Sequence, residues 1–249
     1  MLTDLHNHTC LSPCGSLELS PRRLLEAGSA RGLQIMALTD HNSSLNCRSF
    51  SKLAPKYGII PVCGMEVTTS EELHVLCLFP FLDASLAFSE YAFKILVPFT
   101  NVPEITGDQV YVDEEENIEG EINLFLVNPL DISVDDIGAK AAEYGGIVIP
   151  AHVDRPAFSM TSQLGVIING PWSALECVRI PPGSFGIPLD TLGYPLITSS
   201  DAHYPEHVGR RPFELDTTAE ELQPGGPGCK IDMEAFKRAL YCCPTLHTR

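Results

Sequence analysis

The sequence predicts an α/β fold built as a parallel sheet or barrel. Three observations carry that expectation. Short apolar runs alternate with helix-like segments along the chain. The length, 249 residues, suits one large α/β unit, because barrels of this class reach that size as a single domain. Histidines and carboxylates recur where the apolar runs end, as they do when strand ends converge on one face of a barrel.

The elements follow in order. The segment QIMALT at 34–39 reads as a buried strand, and so do 59–67, 73–79, 147–151, 174–178 and 195–199. Between them, Ser20 is suited to cap a helix with Pro21 in its first turn, and Gly32 to end it. Ser133 caps a second helix that carries Ile137, Ala141 and Ala142 on one face, with Gly145 and Gly146 as its stop. Asp232 caps a further helix through Phe236 and Leu240. Residues 83–121 break this rhythm and contain the acidic run 113–116, so they read as an insertion between two barrel strands, a polar hairpin or lid. The Gly/Pro-rich stretch 223–228 reads as a surface loop, which leaves residues 1–249 as one domain.

Composition narrows the function classes. Apolar residues make up 44% and charged residues 19%, which supports a sizeable core and argues against disorder. The formal net charge of −16 repels a phosphate backbone, so a long nucleic acid is not an expected partner. A small anionic substrate stays open, because bound metal ions reverse the local field. There are nine cysteines, with no repeating framework, and Cys63 and Cys77 lie inside apolar runs. They read as reduced core residues of a cytoplasmic protein. No secretory signal is visible, and no apolar stretch is long enough to span a bilayer.

The histidines carry the chemistry. His6 and His8 lie in DLHNHT, and residues two apart on an extended strand point the same way, so two imidazoles converge and can chelate one ion. His41 follows the strand at 34–39. Glu66 closes the next strand, His74 begins the one after, and His152 ends IVIPA. Asp201 and His203 follow PLITSS, again two apart. Each of these alone is ordinary at a strand end. Together they make a nitrogen and oxygen donor set of the kind that suits Zn²⁺, Mn²⁺ or Fe²⁺. His207 and His247 fall outside this pattern.

The ordered motifs DLHNHT at 4–9, LTDHN at 38–42, GMEV at 64–67, ELHVL at 72–76, IPAHVDR at 149–155 and SSDAHYPEHVG at 199–209 resemble the polymerase and histidinol phosphatase (PHP) family. The resemblance runs from Asp4 to Gly209. It implies a distorted (β/α)7 barrel of the TIM type with a trinuclear metal centre. It also implies which residues share an ion: His6, His8, Glu66 and Asp201 the first; His41, His203 and a ligand from the loop after His8 the second; Glu66, His74 and His152 the third, with Glu66 bridging. One position departs from the family pattern. Cys14-Gly15 stands where many relatives carry Asp-Gly or a histidine. A Cys14 thiolate would favour Zn²⁺ or Fe²⁺ over Mn²⁺, while Glu18 or water could fill the place instead.

Such a cluster implies hydrolysis of a phosphate ester. Zn²⁺ can lower the pKa of a bound water to about 7 and so supply hydroxide at neutral pH. Asp201 and His203 then belong to the catalytic group as well as to the metal set. Arg155, three residues beyond His152, is the first candidate to bind the phosphate, with Arg210 or Arg211 second. Asp4 and Asp40 are suited to orient ligating histidines. The expected substrate is a small soluble phosphomonoester or nucleotide, with two or three divalent ions as cofactor. The alternatives are an exonuclease-like phosphodiesterase acting on short oligonucleotides, a metallohydrolase acting on C–N bonds, and a metal-binding regulatory module without turnover.

Overall fold

The computed structural model describes residues 1–184, 187–228 and 230–242; Cys243 and His247 lie outside the described residues. The chain opens with strand β1 (Leu2–Asp4), helix α1 (Pro21–Ala30), β2 (Ile35–Leu38), α2 (Cys47–Leu53), β3 (Ile60–Thr68), β4 (His74–Phe79) and α3 (Leu82–Ile95). One turn of helix, α4 (Pro103–Thr106), precedes the strands β5 (Val110–Val112) and β6 (Ile118–Glu121). Then come α5 (Val134–Glu143), β7 (Ile147–Pro150), α6 (Met160–Leu164), β8 (Leu175–Glu176), β9 (Gly183–Ser184), β10 (Ile187–Pro188), β11 (Leu196–Ile197), β12 (Phe213–Glu214), α7 (Ala219–Leu222) and α8 (Met233–Tyr241).

Six strands form one sheet in the order β12-β1-β2-β3-β4-β7, and β8 pairs with β11 in parallel beside it. Sparse contacts carry the curl towards closure. Val148 bridges Trp172, and the N–H of Ser173 donates to the Val148 carbonyl at 3.0 Å, which ties β7 to the segment entering β8. Asn7 bridges Ala202, and the His8 N–H donates to the Ala202 carbonyl at 2.9 Å, which ties the segment after β11 to that after β1. The wall is thus β1, β2, β3, β4, β7, β8 and β11, an α/β barrel with irregular pairing on one side. β12 lies antiparallel against β1, with Leu2 opposite Glu214.

Strand β4 runs against its neighbours: it is antiparallel to both β3 and β7. The connection through residues 69–73 is too short for the crossover that a parallel pair requires. This reversal explains why His74 begins its strand while Glu66 lies near the end of β3 and the other candidate ligands follow theirs. The start of an antiparallel strand lies at the same end of the barrel as the ends of parallel ones.

Side chains alternate across each strand, and the wall sorts its residues accordingly. Ile35, Ala37, Ile60, Val62, Leu76, Leu78, Ile147, Ile149, Ala174 and Ile197 form one apolar cluster, joined by Phe236 and Leu240 of α8. Glu66 continues the row of Ile60 and Val62, and His74 continues that of Leu76 and Leu78, so the polar cluster stacks on the apolar one. Met36 and Leu38 face the opposite way, against Leu24, Leu25 and Phe50 of α1 and α2.

The helix signals operate at their expected places. The Ser20, Ser133 and Asp232 side chains accept hydrogen bonds from the N–H groups of Arg23, Asp136 and Ala235. On α5 the buried residues are Val134, Ile137, Gly138 and Ala141. Ala142 is exposed, because five residues of helix turn it off the face of Ile137. The break in rhythm at 83–121 is two things. Its first part is α3, which buries Ala84, Phe88 and Ala92 against the sheet and belongs to the outer helical layer. Only the later part is a hairpin, β5 and β6, and its acidic turn is tied back by ion pairs from Glu116 to Arg22 and from Glu114 to Lys52. Among the described residues no helix is long and apolar enough to cross a membrane.

Candidate metal centre

Glu66 stands at the middle of the polar cluster. It is 1% exposed, and its carboxylate lies against five imidazoles: His6 at 3.2 Å, His8 at 3.3 Å, His41 at 3.2 Å, His74 at 2.8 Å and His152 at 3.1 Å. Asp201 closes the cluster from the far side of the barrel, with Oδ1 3.5 Å from His6, 3.4 Å from His8 and 3.4 Å from His203. The pair two apart in DLHNHT converges, with Nε2 of His6 3.1 Å from Nε2 of His8. The backbone is strained here. His152 and Asp201 have φ of +31° and +47°, a region that side chains other than glycine enter at a cost and that recurs at functional sites.

The donor set fits divalent cations. The Nδ1 atoms of His41 and His152 and both ring nitrogens of His74 are buried without a hydrogen-bond partner, which is costly unless something else satisfies them. His74 Nδ1 is close to Glu66 but not aligned as a hydrogen bond. Burial pushes His41, His74 and His203 down, His203 to about 4, so they remain neutral, the form that ligates metal. Burial also opposes charge on His8 and His6, but the carboxylates outweigh it. Asp201 and Glu66 bring His8 up to about 9, and Glu176, Glu66 and Asp201 hold His6 well above its ordinary value. For Glu66 and Asp201 themselves, burial is outweighed by the surrounding histidines, and both are held well below the usual carboxylate range. This field is one that a cation would meet.

Among the described residues, three triads have donor atoms mutually within 4.8 Å: His6, His8 and Asp201; His8, His41 and His203; and His41, Glu66 and His74. Each shares two or three members with a grouping implied by the family: His6, His8 and Asp201 with the first, His41 and His203 with the second, Glu66 and His74 with the third. His8 also joins His41 and His203, and His152 reaches Glu66 without belonging to a triad.

Around these lie the supporting residues. Asp40 accepts hydrogen bonds from the Thr9 N–H and hydroxyl and from the Ser12 hydroxyl, and Ser12 Oγ is 2.9 Å from His8 Nδ1. Asp40 therefore acts on His8 through Ser12. Asp4 touches no imidazole. It accepts from the N–H groups of His6, Ser200 and Gly209 and ties the loop after β1 to the loops around Asp201. Glu176 is a residue that the sequence reading passed over. Its carboxylate lies 2.9 Å from His6 Nδ1 and accepts the His152 N–H. A lone acid inside the apolar strand at 174–178 was the available signal.

The remaining candidates divide. Arg155 donates to Asp201 Oδ2 at 2.8 Å and is 40% exposed, so it stands at the rim. Arg210 and Arg211 are engaged by the carbonyls of Ser200 and Ser199 and hold the backbone that carries Asp201. Cys14 is exposed, with Sγ 3.1 Å from His203 Nε2. Desolvation by the protein packed around it and the charges of Glu66 and Asp201 push its thiol up. For Glu18 the structure gives an exposed residue with no contact to the cluster. The His207 ring packs edge-on against Tyr204 at 5.3 Å.

A barrel with a histidine–carboxylate cluster at its strand ends defines a class of metal-dependent hydrolases. The PHP domain model matches residues 4–128, and the chain belongs to the PHP family. An uncharacterized protein from Methanocaldococcus jannaschii is 28% identical over 138 residues, covering 48% of this chain and 80% of its own. Among solved structures, the lesion-specific endonuclease Q from Pyrococcus furiosus superposes with a TM-score of 0.58 at 18% identity, over 96% of this chain and 55% of that one. This chain thus spans about half the length of that endonuclease. Endonuclease Q has also been solved on a 27-mer duplex with an abasic lesion at its active site. A proposed metal-dependent phosphoesterase from Bifidobacterium adolescentis superposes with a TM-score of 0.55 at 15% identity, over 99% of this chain and 98% of that one. At such identities the likeness is one of fold.

Proposed function

We propose that this chain hydrolyses a phosphate ester at a cluster of two or three divalent ions, Zn²⁺, Mn²⁺ or Fe²⁺, held by His6, His8, His41, Glu66, His74, His152, Asp201 and His203. The observation that carries this reading is the single buried carboxylate of Glu66 ringed by five imidazoles. Its two oxygens suit it to bridge two cations. Bound ions would supply Lewis-acid chemistry, polarising a phosphoryl group and activating water.

The residues of the chain do the rest. Glu66 and Asp201 stay ionised and fix the imidazoles around them. His203, kept neutral by its burial, offers an acceptor nitrogen at neutral pH. Arg155 stands beside Asp201 at the rim, where its planar guanidinium can take two phosphate oxygens at once. Cys14, with Sγ 3.1 Å from His203 Nε2, would complete the donor set of the second ion. The expected substrate is a small soluble phosphomonoester or nucleotide, met in the cytoplasm. A phosphodiester is the second reading. The net charge argues against long nucleic acid, while endonuclease Q, which shares the fold over about half of its own length, has been solved with a 27-mer duplex, and that keeps a diester in the test.

The test is hydrolysis of p-nitrophenyl phosphate and bis-p-nitrophenyl phosphate by protein loaded with Mn²⁺ or Zn²⁺. Faster turnover of the monoester supports the first reading and faster turnover of the diester the second. Full metal loading with no turnover of either would refute both and leave a metal-binding module.

A further inference from the structure

From the loop after β7 we infer that Phe158 is a specificity residue, a platform on which a planar ring of the substrate stacks while its phosphate is held at the metal centre. The inference rests on the phosphoesterase reading and names the kind of ester. Its physical basis is an aromatic side chain in an unusual place. Phe158 is 39% exposed, so burial in the core does not account for it. One face of its ring lies on the imidazole of His74, with centroids 5.0 Å apart and planes inclined by 14°. His74 is itself in contact with Glu66 at 2.8 Å. The phenyl ring therefore sits one aromatic layer away from the centre of the site, and part of the residue's surface meets solvent.

The loop holds that ring in place. Phe158 has φ of +53°, which is unfavourable for a bulky side chain, and the surroundings sustain it. Its carbonyl accepts the His74 N–H at 3.1 Å. The next residue, Ser159, caps α6 in a reciprocal box with Ser162. At the other end of the loop, Asp154 accepts the N–H of Val178 at 2.7 Å. A ring fixed before its partner arrives loses little freedom on binding. The same loop sends Arg155 to Asp201 at 2.8 Å. It thus brackets the cluster with a guanidinium on one side and an exposed aromatic face on the other. A phosphate joined to a planar heterocycle matches that pair, because the cation takes the anion and the π-face takes the ring. A nucleotide has both groups; a sugar phosphate has only the first.

The experiment uses a matched pair that differs only in the base: the phosphonate analogues of adenosine 5′-monophosphate and ribose 5-phosphate, in which CH₂ replaces the ester oxygen so that neither is consumed. Calorimetry on metal-loaded protein should show the adenosine compound binding about tenfold more tightly or better, the worth of one base–aromatic stack. Phe158→Leu should bring the two affinities to within about twofold of each other, and Phe158→Trp should keep the preference. Ribose 5-phosphonate affinity and metal content should stay the same in both variants, which a merely structural role would not produce. Equal affinities in the wild-type protein, a preference that survives in Phe158→Leu, or no binding of either compound would overturn the inference. Turnover of p-nitrophenyl phosphate is scored separately. Its absence beside an intact base preference counts against the phosphoesterase reading alone, and its presence without that preference counts against Phe158 alone.

Discussion

Glu176 holds the Nδ1 edge of His6 at 2.9 Å, and His6 in turn directs Nε2 towards Glu66 at 3.2 Å. A carboxylate behind a ligating imidazole fixes its tautomer and makes it a better donor. Glu176→Gln keeps the shape but removes the charge. We expect it to weaken the tightest-bound ion by roughly 10- to 100-fold with the fold retained. A competition titration against a metal chelator measures this, and an unchanged affinity would show that Glu176 is only filling space.

Glu66→Gln is expected to lower metal content and turnover together, since an amide cannot replace the charge that five imidazoles surround. Elemental analysis of the purified variant is the check. Wild-type stoichiometry with wild-type turnover would remove Glu66 from the bridging position.

Arg155→Ala should leave metal content intact and lower kcat/KM for a phosphate ester by about 10- to 100-fold, the loss of a charge-assisted bidentate contact. Arg155→Lys should recover only part, because a point charge lacks the two-pronged geometry. An alanine variant with unchanged kinetics would reduce the contact with Asp201 at 2.8 Å to a surface ion pair.

Cys14→Ser should selectively reduce the occupancy of one ion, the one nearest His203, and oxidation of the wild-type thiol should have the same effect. Cys14→Asp should restore binding with a preference shifted towards Mn²⁺. Anomalous diffraction locates each ion. Full occupancy of every site in the serine variant would leave water or Glu18 as the completing donor, although Glu18 makes no contact with the cluster in this structure.

Metal should also stabilise the fold, since ions that bind only the native state add about 2.7 kcal/mol per site at a hundredfold excess over Kd. For a chain of this length that corresponds to a rise of roughly 5–10 °C in Tm per site. A chelator-treated sample that melts at the same temperature as the metal-loaded one would contradict a native metal centre.

The candidate ligands were legible because six of the eight histidines, with Glu66 and Asp201, fall beside apolar runs, where strand ends gather. The direction of β4 was not legible from its pattern. Alternation repeats every two residues whichever way a strand runs, and only the shortness of residues 69–73 distinguishes the two cases. Helix α3 escaped because its buried face is made of Ala84, Ser85, Phe88, Ser89 and Ala92, too polar and too small to register as an apolar stripe. Glu176 escaped for the opposite reason. A single acid in a run of apolar residues carries no periodic signal, and its partner His6 lies 170 positions away. Asp4 meets His6 at the backbone N–H and not at the ring, since a buried carboxylate satisfies backbone N–H groups as readily as imidazole.

Leu2 pairs with Glu214, and Asn7 with Ala202. Contacts so far apart in sequence are slow to form, because a long loop must close before they reward it. During synthesis, His6 and His8 leave the ribosome long before Asp201 and His203 exist to meet them, so on the metal-centre reading a nascent chain would hold half a site and take metal only weakly. Tight binding would then belong to the closed barrel alone, and the appearance of a fully loaded centre in a refolding experiment would be a clock for the last step of closure.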